Sequence, residues 1–509
     1  MSGTTSPANS TAMSATRWLL PLVAIGLAGF FAVLQLSKWP ARFEYPGEED
    51  FVEGTQLAEM LHLRQGRRIY DPPSAGRFDG AIYGPLFYLL GARVVDPNKP
   101  AYTPLRVISL LATLGLAVEC VVLAFWLSQS AFAATLAPLL FFSNAFVARY
   151  GVSARADAVG LLLAVSGFLL AFRFRISRAL LYAAPLMLFS SFYKPQFMAG
   201  PLAVLLLLLF EKRYRRAAEF AGILAAGGLA LLAFFTWVVF PGQAFLLHFL
   251  AYNALPFQGT MLLSGILVFG VVLTVPFIGS LRFLARQPNR LVTCYLGCAV
   301  VVYCLVGSLS GASTNRCLEC VVVLSCLFAA QVATARSSTS AAWVAVMGLA
   351  LVLNTLFFVP NPRPGNFDQD RTIQNYLRSQ FPPGALCLTH YAGDPIRAGL
   401  DAPVTNLWHY AALIRKGLLS DRDIVAHIKG GRYGVILLDF DLRHPKSREV
   451  ADFYLTQPMR NGILDGYELA MQFSIPRPER NGFGDGQVYA WIPRAAGSHI
   501  GVNQEQQNR

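Results

Sequence analysis

The sequence predicts a multi-pass α-helical membrane protein of about eleven transmembrane helices, with a small C-terminal α/β domain outside the membrane. Three observations carry that expectation. Of 509 residues, 54% are hydrophobic and only 14% are charged, where a soluble globular protein carries roughly 25% charged residues. Apolar runs long enough to cross a bilayer, about 20 residues each, recur from residue 18 to about residue 360. Beyond them, short strand-like runs alternate with helix-like ones.

The predicted spans are 18–37, 105–127, 131–148, 156–174, 177–193, 197–211, 217–238, 262–281, 291–309, 317–334 and 340–359. Residues before Arg17 are polar and no small-residue cleavage site follows the first run, so that run reads as a retained signal anchor. With the N-terminus in the cytoplasm, twelve Lys and Arg fall in cytoplasmic connections, including Arg173, Arg175, Lys212, Arg213 and Arg336. The short outer connections then hold four: Arg149, Arg155, Lys194 and Arg316. That is the positive-inside bias of a correct orientation. The pair 177–193 and 197–211 is short and carries Pro185, so it reads equally well as a re-entrant hairpin. Removing both leaves the tail on the outer side.

The net charge of +13 needs no nucleic acid, because much of it lies in those short connections. Seven of eight cysteines lie in or beside apolar segments, and Cys317 and Cys320 form a lone CxxC. Without a second ligand pair that is no metal or redox signal.

The expected organisation is a cytoplasmic tail at 1–17, a membrane domain at 18–360 with a large outer loop at 38–104, an outer α/β domain at 361–495, and a disordered tail at 496–509. The outer domain follows the Pro-rich linker FFVPNPRPGN. Its strands are read from ALCLTH, YGVILLDF, YELAMQF and QVYAWIPR, and its helices from RTIQNYLRSQF and SDRDIVAHIKGG.

The outer loop opens on Glu48, Glu49, Asp50 and Glu53. From Asp50, the residues Glu53, Leu57 and Leu61 follow at helical spacing, and Gly66 is a natural stop. A short interfacial helix is expected, its acidic end beside the membrane and its Leu57, Met60 and Leu61 side turned inward. YGPLFYLLGARVV at 83–95 is too short to span and reads as a second interfacial helix. The remaining polar groups at helix ends are Arg149, Arg155 and Asp157; Lys194 and Gln196; His248, Tyr252 and Asn253; and Asn315, Arg316 and Glu319. All fall on the same outer face, and ionisable groups near membrane depth mark pathways or sites. Outer-loop carboxylates with cations at the interface suit transfer of a sugar from a lipid phosphate. One acid takes the acceptor's proton and the cations stabilise the departing phosphate.

DFVEG (50–54), GRRIY (66–70), YGPLFY (83–88), RAD (155–157), YKPQ (193–196) and GASTNRCLE (311–319) resemble membrane glycosyltransferases of the GT-C superfamily. The closer likeness is to the bacterial family 39-like branch, related to protein O-mannosyltransferases and aminoarabinose transferases. The resemblance covers roughly residues 40–330. Ala156 stands where the branch usually has Pro, and Arg316 where it has an aromatic residue.

The resemblance implies a GT-C-like fold and an inverting transfer from a polyprenyl-phosphate-linked sugar to a lipid, glycan or protein acceptor, at the outer face of the inner membrane. Asp50 would be the general base and Glu53 would orient the acceptor or Asp50, with Glu49 and Glu53 as alternative bases. Arg155 and Lys194 would bind the lipid phosphate and Asp157 would orient one of them. Gln196 belongs to the Lys-Gln-like pair, while Asn315 and Glu319 would shape the sugar or lipid-entry side. No metal or other cofactor is expected.

Plainer readings stand beside these. The loop acids would cap and solvate a loop, Lys194 would snorkel, and Arg155–Asp157 would be a local ion pair. Asn315 and Glu319 would cap a helix. The rival function is a transporter or flippase for lipid-linked glycans, but transporters place charge at the midplane in repeated halves; a structural or sensory protein is the third reading.

Overall fold

The structure is a computed structural model that describes residues 8–49, 51–73, 76–311, 314–335, 337–356, 364–474 and 487–494. Asp50, Arg336, the linker at 357–363, part of the GASTNRCLE segment (Ala312 and Ser313) and the tail at 496–509 lie outside the described residues. The chain divides into two compact units. One is Met1–Phe43, Arg106–Leu232 and Leu255–Pro360; the other is Glu44–Leu105, Ala233–Ala254 and Asn361–Arg509.

Among the described residues, seven helices are long and apolar enough to cross a membrane: Leu19–Glu44, Thr103–Ser128, Asp157–Phe174, Tyr214–Val239, Arg290–Gly307, Thr314–Thr334 and Thr339–Leu356. The pair Gly259–Val272 and Thr274–Arg286 is apolar enough to make an eighth when taken as one span, but it is bent by 72°, as in a broken span or a re-entrant loop. The three other predicted runs form helices too short to cross alone. Residues 131–148 divide into Ala131–Phe142 and Ala145–Tyr150, and residues 177–211 into Ala183–Tyr193 and Ala199–Phe210 after a 3₁₀ turn at Arg178–Tyr182.

Two of these interruptions share one side chain. Pro276 has no N–H to give the carbonyl of Val272, four residues back; the Asn354 amide donates to that oxygen instead (3.5 Å). The Asn354 carbonyl oxygen accepts from the Ala145 N–H (3.5 Å), where Asn144 caps the new helix by accepting from Phe146 N–H (3.0 Å). Broken backbone at membrane depth needs such internal partners.

The second unit contains the predicted outer α/β domain. β1 (Cys387–Thr389), β2 (Val435–Leu438), β3 (Tyr467–Ser474) and β4 (Gln487–Pro493) form one sheet in the order β1-β2-β4-β3. β1 and β2 are parallel, with Leu388 opposite Ile436; the other pairs are antiparallel, with Leu437 opposite Ala490. The helices Pro364–Gln380 and Arg422–Lys429 fall where the sequence predicts them. Segments of the first loop belong to the same unit. Phe78 bridges Val404, donating its N–H to Pro403 (2.7 Å) and accepting from Thr405 (3.0 Å). Its ring lies in a core with Leu407, Ile436 and Trp491.

The first-loop helix runs Phe51–Arg64. Gly66 ends it at φ +78°, where the Arg67 N–H returns to the His62 carbonyl (2.8 Å), the six-to-one bond of a Schellman motif. It is not the half-wet interfacial helix expected from its pattern. Every side chain from Val52 to His62 is buried, Glu53, Gln56 and Glu59 included, because the unit's own segments close over its polar side. Pro85–Val94 keeps the expected amphipathic form, with Leu90 and Val94 exposed and Phe87 and Tyr88 buried. A Cβ at Gly91 would stand 2.1 Å from the Met60 sulfur, so these two helices approach as closely as a glycine allows.

Candidate active site

In the helical unit, sequence-predicted residues converge on Asp157. This carboxylate opens the helix Asp157–Phe174, where the helix dipole favours negative charge, and it is fully buried. It accepts from Arg155 Nε (3.0 Å) and Asn315 Nδ2 (2.7 Å) and is paired with Lys194 Nζ. Lys194 ends the helix Ala183–Tyr193 in an extended conformation. Small residues bring the two helices close enough for that reach. A Cβ at Gly167 would lie 2.7 Å from Met187 Cγ, and Ser190 Oγ donates to the Gly160 carbonyl (2.6 Å).

Tyr150 extends the cluster. The guanidinium groups of Arg149 and Arg155 lie 5.2 and 5.4 Å from its ring centroid, and its hydroxyl is 3.1 Å from Thr314 Oγ1, next to Asn315. Arg316 is near enough to Lys194 for the two charges to repel. Two cations thus hold the Asp157 carboxylate, and two more, Arg149 and Arg316, lie beside members of the cluster. Arginine forks and a lysine point charge are the groups that recognise phosphate.

The plainer readings fit in part: Glu319 does lie in the first turn of the helix Leu318–Thr334. Lys194 is buried rather than snorkelling. Arg155–Asp157 is a buried pair joined to a second helix. Asn315 bonds to Asp157, while Cys317 takes the N-cap position of the helix Leu318–Thr334. Two candidates stand apart from the Asp157 hydrogen-bond set. Glu319 is buried against Tyr295, whose ring stacks on Phe168 with centroids 3.9 Å apart. Gln196 is half-buried in the turn after Lys194 and gives its backbone carbonyl to Met198 N–H (2.9 Å).

In the other unit, Glu53 is buried and its Oε2 accepts the backbone N–H of Glu49 (3.0 Å), just before the helix begins. Asp50 is outside the described residues. Glu48 lies over Gly54, the glycine of DFVEG: a Cβ there would be 2.0 Å from Glu48 Oε2 and 2.6 Å from the amide nitrogen of Gly393. Tyr70 and Tyr88, from GRRIY and YGPLFY, meet edge to face at 6.4 Å. The ring of His248 stacks on Phe78, and its Nε2 is 3.0 Å from the Asp71 carbonyl, so its place is structural.

Sequence reasoning missed two ionisable groups of the first-loop helix. Glu59 Oε1 accepts from Ala81 N–H (2.8 Å) and Thr405 Oγ1 (3.0 Å). Burial, and next the Asp79 carboxylate, push its pKa up to about 7. His62 Nδ1 is 2.8 Å from Asp79 and its Nε2 is 3.6 Å from Asp401. Burial opposes its charge, but the Asp79 and Asp401 carboxylates outweigh burial and hold its pKa up at about 9. The available signal was a polar residue at every third position: Glu53, Gln56, Glu59, His62. Among the described residues, no three His, Cys, Asp or Glu side chains converge as metal ligands.

No family model matches the chain, and no curated protein does. Solved structures do. ArnT from Cupriavidus metallidurans, bound to undecaprenyl phosphate, superposes with a TM-score of 0.56 at 10% identity, over 91% of this chain and 97% of that one. The apo state of the same protein gives 0.55 at 10% identity, over 94% and 98%. The oligosaccharyltransferase of Archaeoglobus fulgidus, tethered to an acceptor peptide, gives 0.49 at 12%, over 93% and 74%. With the likeness spanning both chains almost entirely, this chain shares the fold of ArnT.

Proposed function

We propose that this chain is a membrane glycosyltransferase that moves a sugar from a polyprenyl-phosphate-linked donor to a lipid, glycan or protein acceptor. The observation that carries the reading is the buried cluster in which Asp157 holds Arg155, Lys194 and Asn315, with Arg149 beside Tyr150 and Arg316 near Lys194. Arginine forks and a lysine point charge recognise phosphate, and a lipid phosphate is the anion a membrane presents. The shared fold supports the same lipid class, since ArnT is described bound to undecaprenyl phosphate.

In this reading Lys194 and Arg155 hold the phosphate, while Asp157 and Asn315 keep both cations in position. The acceptor hydroxyl attacks the anomeric carbon and its proton passes to an outer-loop carboxylate. The bond from that carbon to the phosphate oxygen breaks and polyprenyl phosphate leaves with the electron pair. Attack opposite the leaving group inverts the anomeric centre. Asp50 is the base we assign, with Glu49 as the alternative. Glu53 accepts the Glu49 N–H, which suits an orienting role. The reading puts the site on the outer face of the inner membrane, with the N-terminus in the cytoplasm.

The test is turnover of undecaprenyl-phosphate sugars by the purified protein, following release of undecaprenyl phosphate. Replacing the general base in Asp50→Asn should lower kcat by about 10²-fold or more without changing donor affinity. Lys194→Ala should weaken donor binding. Turnover indifferent to both substitutions would overturn the reading.

A further inference from the structure

Within the unit formed by the first loop and the tail lies a cleft of about 350 Å³, the size range of small-molecule sites. One side is apolar, formed by Leu61, Pro97, Pro100 and Leu400. The other carries His62, Gln65, Arg67 and Asp401. Part of the wall is two glycine turns, Gly384 and Gly399, at φ +79° and +86°, joined by the Gly384 N–H to the Gly399 carbonyl (2.8 Å). A Cβ on either would meet nothing within 4 Å, so both look onto open space.

The polar side is held rigid. Arg67 donates both terminal nitrogens to Asp401 (3.0 and 2.8 Å), and Arg77 donates to the same carboxylate (3.0 Å). His62, only 3% exposed, is anchored through Nδ1 to Asp79 (2.8 Å). Its Nε2 lies 3.6 Å from Asp401, so the imidazole is set between two carboxylates at the edge of the cleft.

The chemistry of the lining narrows the ligand. A sugar ring has an apolar face of C–H groups, which the proline and leucine side would cover. Its vicinal hydroxyls both donate and accept, matching an imidazole, an amide and a carboxylate–guanidinium pair set side by side. An anion is disfavoured because Asp401 lines the cleft and occupies the Arg67 fork. We infer that this cleft is a saccharide-binding site that holds a sugar unit of a glycan acceptor. The acceptor role rests on the transferase reading; the binding of a saccharide does not.

The experiment uses the full-length protein in lipid nanodiscs, so that no sugar-headed detergent competes. Saturation-transfer NMR would measure binding of lactose, cellobiose and N,N′-diacetylchitobiose, with inorganic phosphate as the anionic probe. Gln65 is exposed, so Gln65→Trp fills the mouth without disturbing the fold; His62→Gln removes the imidazole. Saturable binding of at least one disaccharide is expected, weakened about tenfold or more by Gln65→Trp and less by His62→Gln, with undecaprenyl phosphate affinity unchanged in both. No saturable disaccharide binding, binding indifferent to Gln65→Trp, or binding of inorganic phosphate in its place would overturn the inference. A wild type that binds lipid phosphate but no disaccharide defeats this inference alone. The reverse pattern defeats the transferase reading and leaves the cleft standing.

Discussion

Gly54 and Gly393 meet backbone to backbone. A Cβ on Gly54 would stand 2.6 Å from the Gly393 amide nitrogen, and one on Gly393 would stand 3.1 Å from the Gly54 Cα and 1.8 Å from the Tyr102 hydroxyl. The glycine of DFVEG is therefore the point where the first-loop helix docks on the tail turn HYAGDP. Gly54→Ala should destabilise that unit by roughly 1–3 kcal/mol, as overpacking does. Gly297, whose Cβ would meet nothing within 4 Å, is the control. Hydrogen exchange should show the Phe51–Arg64 helix opening more often in Gly54→Ala and unchanged in Gly297→Ala.

Asp157 holds Arg155, Lys194 and Asn315 at once. Asp157→Asn removes the charge that balances the cations and should cost about 3–5 kcal/mol. Lys194→Ala should cost less, since Arg155 and Asn315 still hold the carboxylate. Denaturant unfolding of the two variants in micelles orders them. Equal losses would mean that Asp157 does not organise the cluster.

His62 gives the unit a pH signature. Its folded pKa, about 9, lies above its ordinary 6.5, so the stability from its charge is complete below pH 6.5 and is lost as pH rises through 9. The expected loss is on the order of 3 kcal/mol. Thermal unfolding across pH 6–10 should show it in the wild type and not in His62→Gln.

Glu59 acts in the same direction over a lower window. Raised from 4.5 to about 7, it favours the folded state fully below pH 4.5 and loses that contribution as pH rises through 7. Glu59→Gln keeps an acceptor for Ala81 and Thr405 and never ionises. It should therefore unfold later than wild type at pH 8 and no later at pH 4.5. A pH-independent change in unfolding temperature would count against a buried, ionising Glu59.

Much of the fold is legible in the sequence because the bilayer imposes it. A lipid-facing helix must be apolar along its length, so helices such as Thr103–Ser128 and Arg290–Gly307 announce themselves, as do the apolar strands β1 and β2. Breaks are less legible, because Pro276 tells where a helix bends but not that Asn354 satisfies it. Arg155, Asp157, Lys194 and Asn315 were found because charge is rare at helix ends of an apolar chain. Their common centre on Asp157 and the ring of Tyr150 needed coordinates. Glu59 and His62 escaped because a polar helix side normally faces water, and only the tertiary packing of distant Asp401 and Thr405 shows that it does not.

The central claim is that a lipid phosphate binds at the cationic cluster. The direct measurement is the shift in unfolding temperature caused by undecaprenyl monophosphate, in wild type, Lys194→Ala, Arg155→Ala and Asp50→Asn. A ligand that binds only the folded state stabilises it, by about 2.7 kcal/mol at a hundredfold excess over Kd. The account predicts a rise in wild type and Asp50→Asn and none in the two cation variants. A rise of equal size in all four, or none in any, would contradict it.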